Sequence, residues 1–456
     1  MKKTNFRRPN KYQKHPKNLL QKTKLSFPWI ILLSACGAKE NEQIQAYNEI
    51  LGTINTDVLR GTSGDDRIFG YAGDDQLYGY SGNDYLIPGF GQDRIYGGNG
   101  ADTIYLEDMS QIVDGGEGDN TLILGGRLQT TFLDIDLQSN ILRYQTDIFS
   151  KTSTVLKNIS NVDASNIRNV DLKASDDVNS IKTGLGDDII ANIGRNDEIF
   201  ANSGNDTLVI HEIPKLLNGG TGIDTIKLTG TTFNKLELNV SQNYISNLST
   251  DTIGEIKDIE IFNLEEVVVT TFIGSDATEI IITGAGSDNI DSKGGLDIIT
   301  AGQGADTIFL ELNESGPITI TDFEIGDTGD NLLISKDLFN PQSKLKLNFI
   351  NTQQIGKKNL NIENEIVIFN TQVGYSDVNQ LYASLNSSNG IALENTNSQK
   401  VDFIGLWYNN QNDWTQVSLI SKSDPLSNIF DETINLAILQ NIHSTDLDLF
   451  SEQNFL

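Results

Sequence analysis

Acidic residues recur at a fixed nine-residue interval between Gly52 and Tyr105. Six consecutive units read GTINTDVLR, GTSGDDRIF, GYAGDDQLY, GYSGNDYLI, PGFGQDRIY and GGNGADTIY, each with Asp in sixth place and Leu or Ile in eighth. A carboxylate held at constant phase among glycines points to an ion. Hard oxygen donors in tight turns suit calcium, which takes six to eight oxygens. If each unit is half a coil, turns on one side lie 18 residues apart, so that Asp57 stacks on Asp75, Asp66 on Asp84, Asp75 on Asp93 and Asp84 on Asp102. Bare carboxylates stacked at strand spacing repel one another, and such a column requires a cation between its layers.

The elements that place these carboxylates are short. In each unit the small and acidic residues make a turn that glycine lets close tightly, and an apolar-centred run makes a strand. The eighth residues Leu59, Ile68, Leu77, Leu86, Ile95 and Ile104 are expected to face inward and fill a thin core. A fixed period of this kind belongs to stacked repeats rather than to an ordinary globular core. The phrase returns in TGLGDDIIA from Thr183, NIGRNDEIF from Asn192, ANSGNDTLV from Ala201 and GGTGIDTIK from Gly219. It returns again in TGAGSDNID from Thr283, SKGGLDIIT from Ser292 and AGQGADTIF from Ala301. GGEGDNTLI from Gly115 keeps Asn120 in phase with Asp102, and Asp206 is in phase with Asp224. Two edge units carry Asn179 and Glu279 in sixth place and are expected to be weak sites or none.

These units resemble the GGxGxDxUx nonapeptide of the repeats-in-toxin (RTX, hemolysin-type) calcium-binding family, and GGNGADTIY and GGTGIDTIK fit it in full. The resemblance implies a parallel β-roll, or β-solenoid, with Ca²⁺ held in its turns, and export from a Gram-negative bacterium. Carried over residue by residue, it implies the metal ligands Asp57, Asp66, Asp75, Asp84, Asp93, Asp102, Asp188, Asp197, Asp206, Asp224, Asp288, Asp297 and Asp306. Counting one ion for each in-phase Asp–Asp pair gives about seven. Pro88 replaces a leading Gly and Arg195 a fourth-place Gly, so the second block is the less regular.

Composition agrees with this reading. The chain holds 62 acidic and 33 basic residues, a net charge of −29, which opposes compaction unless counter-ions neutralise it. The same charge argues against nucleic acid and anionic membrane surfaces as partners. A single Cys excludes an intrachain disulfide, leaving calcium as the staple of an exported chain. That Cys36 ends a signal-like leader: nine Lys or Arg up to Lys24, an apolar run from Phe27 to Leu33, then Leu33-Ser34-Ala35-Cys36, which resembles a lipobox. The leader predicts lipidation of Cys36 and an extracellular or cell-surface location, with membrane contact only through that anchor.

The chain therefore divides into a signal segment (1–36), a linker (37–51), repeat blocks at 52–123, 174–227 and 274–309, strand-rich coils without calcium turns at 124–173 and 228–273, and a smaller mainly-β C-terminal domain at 310–456. In the last, a helix is expected over Ser376–Leu385, and a hairpin around NNQND that brings Trp407 and Trp414 near its turn. The tail from Leu436 is similar to C-terminal export signals, a route at odds with the N-terminal lipobox, which is given the greater weight. Only three His occur, with no HExxH and no GxSxG, which removes the simplest protease and lipase readings. The leading reading is a non-enzymatic, structural or adhesive protein that folds on binding Ca²⁺, with cell-surface polysaccharide or other surface proteins as partners. The alternative is a carbohydrate-binding or hydrolytic protein with its active part in 331–456.

Overall fold

Alternate nonapeptide strands fall on two facing sheets, as an 18-residue coil requires. The computed structural model describes residues 47–456, except 126–127, 129–131, 146–150, 231–232, 312–315, 327, 335–345, 352–357, 361–364, 371–374, 386–390, 394–402, 422–431, 451–453 and 456. The leader and Cys36 lie outside the described residues. Among those described, one sheet has sixteen strands and the other twenty, both mostly parallel, with a further two-stranded pair. The pairing is set by the repeat: Val58–Arg60 lies beside Gln76–Ser81 with Leu59 against Leu77, and Asp66–Phe69 beside Tyr85–Ile87 with Ile68 against Leu86. The eighth residues line the space between the sheets, and Ile68, Leu77, Leu86, Ile95 and Ile104 are fully buried. Their alternation with exposed neighbours is the period of two that a strand buried on one face demands.

The two strand-rich segments depart from the regular coil. The first forms an antiparallel meander, Phe132–Asp136, Ile141–Gln145 and Lys151–Lys157, seated in the twenty-stranded sheet between Ile112–Glu117 and Asn169–Lys173. On the opposite sheet Thr121–Leu124 pairs directly with Asn161–Asp163. The second forms Lys235–Asn239, Tyr244–Asn247 and Thr252–Lys257, seated in the sixteen-stranded sheet between Leu216–Asn218 and Val269–Ser275. There the opposite sheet pairs Thr225–Leu228 directly with Ile261–Asn263. Each meander puts three strands where a coil supplies one, and the two fall on opposite sheets. Strands stack at about 4.8 Å, so a surplus on one sheet alone would curve the stack.

The C-terminal portion extends the twenty-stranded sheet. Ile318–Ile320 pairs with Glu432–Leu439, which continues through Trp414–Ser421, Phe403–Asn409 and Glu365–Asn370 to Lys346–Asn351. The tail expected to resemble an export signal thus supplies a strand at Glu432–Leu439. The expected hairpin forms between Phe403–Asn409 and Trp414–Ser421, and the helix runs Val378–Leu385. Trp407 is buried, its indole N–H donating to Ser418 Oγ at 3.2 Å, so it packs the hairpin and offers no open face.

Candidate metal centre

The sixth-place residues form ladders along the two edges where the chain passes from sheet to sheet. The backbone N–H of each donates to one carboxylate oxygen of the residue a coil ahead: Asp57 to Asp75, Asp66 to Asp84, Asp75 to Asp93 and Asp84 to Asp102, all at 2.8 Å. Asp188, Asp206, Asp224 and, in the third block, Asp288 and Asp306 repeat the pattern at 2.8 Å. One edge carries Asp57, Asp75 and Asp93, and farther along Asp188, Asp206, Asp224, Glu260, Glu279 and Asp297. The other carries Asp66, Asp84 and Asp102, then Asp197, and farther along Asp288, Asp306 and Asp330.

This ladder uses one oxygen per side chain, and an asparagine serves it equally well. Asn120 Oδ1 accepts the Asp102 N–H at 2.9 Å. What aspartate adds is a second oxygen and a charge. In Asp75, Asp84, Asp93, Asp102, Asp206, Asp224, Asp288, Asp297 and Asp306 that Oδ2 is buried and has no hydrogen-bond partner. Buried polar atoms are normally paired, and a buried unpaired carboxylate oxygen costs several kcal/mol in general. The remaining four differ. The Oδ2 atoms of Asp57 and Asp66 accept the N–H of Thr53 and Thr62, at 2.6 and 2.5 Å, and those of Asp188 and Asp197 accept Gly184 and Gly194, at 3.3 and 2.8 Å. The His211 ring also lies against Gly194 beside Asp197, in the unit where Arg195 replaces the usual Gly.

Where a glycine opens the unit, it leaves room around the orphaned oxygen. A Cβ on Gly79 would stand 2.4 Å from the Gly97 carbonyl oxygen and 2.3 Å from Asp84 Oδ2, and one on Gly70 would stand 2.6 Å from Asp75 Oδ2. In fourth place Gly82 has φ of +115°, a region closed to most residues. Burial, above all, pushes the carboxyls up: Asp84, Asp93, Asp224, Asp288 and Asp306 to about 6, and Asp206 to about 7, with neighbouring acids adding to the effect at all of these but Asp288. Among the described residues no three His, Cys, Asp or Glu side chains converge as a metal-holding group. A cation here must therefore draw on backbone carbonyls as well as carboxylates, which is what the space left by the glycines permits.

The sequence pattern of the RTX calcium-binding nonapeptide repeat matches four stretches, residues 51–86, 89–108, 194–209 and 273–308. The chain carries RTX calcium-binding repeats. These stretches hold eleven of the thirteen aspartates named above; Asp188 and Asp224 fall outside them. No curated protein matches the chain.

Two acids on the RTX ladders, Glu260 and Asp330, escaped the nonapeptide pattern, and a third, Glu279, keeps its sixth place. Glu260 Oε2 accepts the Asp224 N–H at 2.8 Å across the second meander. Asp330 accepts the Asp306 N–H at 3.0 Å and the Glu324 N–H at 2.7 Å, and burial pushes its carboxyl to about 7. Glu279, expected to be a weak site, is buried with Oε2 unpartnered, and burial with the Asp297 charge pushes it to about 8. Glu260 and Asp330 break the 18-residue step but keep its local signal, an acid two residues before a buried apolar side chain: Phe262 after Glu260, Leu332 after Asp330.

Proposed function

We propose that the protein is an exported or cell-surface calcium-binding protein whose solenoid is completed by Ca²⁺, with a structural or adhesive rather than an enzymatic role. The observation that carries this reading is the set of nine buried Oδ2 atoms without a partner, in a ladder that asparagine would satisfy. Asp75, Asp84, Asp93, Asp102, Asp206, Asp224, Asp288, Asp297 and Asp306 would hold the ions, with turn carbonyls supplying further oxygens. Bound calcium neutralises the carboxylates and removes the repulsion along each column. Because ions that bind only the folded chain stabilise it by mass action, low calcium inside the cell would keep the repeats open and the higher calcium outside would close them. The excess of acidic residues and the single Cys support this reading. Thermal unfolding of the full chain tests it: the midpoint should rise steadily with calcium concentration, and a midpoint indifferent to calcium and chelator overturns it. Fractionation of the native cell, with lipoprotein processing blocked in parallel, tests the surface location and the anchor at Cys36.

A further inference from the structure

The meanders create two junctions at which a coil meets a partner other than the next nonapeptide. At the first, Asn120 fills the seat completely. Its Oδ1 accepts the Asp102 N–H at 2.9 Å, while Nδ2 donates to the carbonyl oxygens of Gly116, Gly118 and Asn158 at 3.3, 3.2 and 3.0 Å. Those three partners show what lines the seat, which is oxygen acceptors from the turn itself and from the coil beyond the meander. A donor placed among them is satisfied.

At the second junction the corresponding seat holds Asp224. Its Oδ1 accepts the Asp206 N–H at 2.8 Å, and its Oδ2 is fully buried and unpartnered. Gly219 stands where Gly115 stands in the first junction. A Cβ there would lie 2.5 Å from Asp224 Oδ2 and closer still to the Asp258 carbonyl oxygen, the counterpart of Asn158. Glu260 brings a second carboxylate from beyond the meander, accepting the Asp224 N–H at 2.8 Å. The lysine beside Asp258 in the chain, Lys257, is engaged with Glu255 at 2.5 Å. The seat thus keeps its acceptors, loses its donor and gains negative charge, an arrangement completed only by a cation.

We infer that Asp224, Glu260 and the carbonyl of Asp258 form a divalent-cation site that closes the second junction. The site lies outside the four matched repeat stretches and joins residues on either side of the meander. For the identity of the ion it rests on the calcium reading of the repeats. The test is native mass spectrometry of the full chain titrated with calcium, comparing wild type with Asp224→Asn and Glu260→Gln. Asparagine already occupies the equivalent seat at residue 120, so Asp224→Asn is compatible with the fold, and Glu260→Gln keeps the side chain's shape. Glu260→Gln should hold one ion fewer than wild type, and Asp224→Asn, whose carboxylate also serves the Asp206–Asp224 pair, at least one fewer. A Glu260→Gln variant that keeps the wild-type count overturns this site alone. A wild-type chain that binds no calcium overturns the repeat reading and this site with it.

Discussion

The coil that ends at Asn120 and the coil that ends at Asp224 face the same problem in mirrored settings. Each precedes a three-stranded meander, the first seated in the twenty-stranded sheet and the second in the sixteen-stranded sheet; at the second the ladder hydrogen bond crosses the interruption from the Asp224 N–H to Glu260, whereas at the first the Asn120 N–H turns back to Gly118 and the side-chain amide crosses instead to the Asn158 carbonyl. The first is closed by an amide whose donors and acceptor are all used. The second is closed by carboxylates, one oxygen of which has no partner in the protein. One geometry therefore serves a junction that is complete in the chain itself and a junction that depends on an ion. The choice between them rests on an oxygen or an NH₂ at a single side chain. The ladder explains why the sixth place needs a side-chain carbonyl oxygen; only the second oxygen explains why it is so often acidic.

The comparison can be broken or sharpened by experiment. The largest effect is expected from pH in the presence of chelator. Ordinary aspartate titrates near 3.8, whereas burial raises Asp206 to about 7 and Asp84, Asp93 and Asp224 to about 6. A carboxyl raised in the fold favours the folded state when protonated. Its contribution is full below about pH 4 and is lost as pH rises through about 6 to 7. The chelated chain should therefore be most resistant to urea near pH 4 and lose that resistance towards pH 7. Asn120 titrates nothing and adds nothing to this change. A chelated chain that gains stability as pH rises from 4 to 7 contradicts the account.

Next in size is the core behind the second junction. Phe262 and Phe272 pack edge to face with centroids 5.0 Å apart, where Val162 and Leu172 hold the equivalent positions behind the first. Phe262→Ala should cost about 3–5 kcal/mol in urea unfolding, by the same amount in calcium at neutral pH and in chelator near pH 4, where the chelated chain is folded, and more than Val162→Ala. Dependence of the Phe262→Ala cost on calcium would show that packing and ion binding are not separable there.

Asn120→Asp exchanges the donor of the first junction for a charge. At low calcium, just enough to fold the wild type, it should destabilise by about 1–3 kcal/mol, the usual cost of leaving buried acceptors and a carboxylate unpaired. Calcium should restore the loss, and native mass spectrometry should count one additional ion. Failure of calcium to restore it would deny that the two seats are equivalent. The smallest effect is expected at the surface pair Lys215–Glu198, whose exposed partners predict a change under about 0.5 kcal/mol for Lys215→Ala, diminishing with salt.

Much of this was legible in the sequence. The nine-residue phase predicts the 18-residue pairing of Asp57 with Asp75 and the burial of Ile68, Leu77 and their successors, because side-chain alternation and coil length are both periodic. The meanders were not legible as such. FLDIDL and KLELNV read as strands, but nothing in them says whether a strand continues a parallel coil or turns back antiparallel. Glu260 and Asp330 were missed because the chain between ladder partners lengthens, while the acid-x-apolar phrase that marks them is too short to stand out without its period. Trp407 was legible: an aromatic in a hairpin strand reads as packing, and its indole is bonded to Ser418 inside the hairpin.

The central claim is that calcium, and not the chain alone, completes the carboxylate ladders. Far-ultraviolet circular dichroism of the full chain at neutral pH, stripped with chelator and then titrated with calcium, tests it most directly. The account predicts a weak strand signal in chelator that grows cooperatively to that of an all-β fold as calcium is added. A full strand signal in chelator, unchanged by calcium, would contradict it.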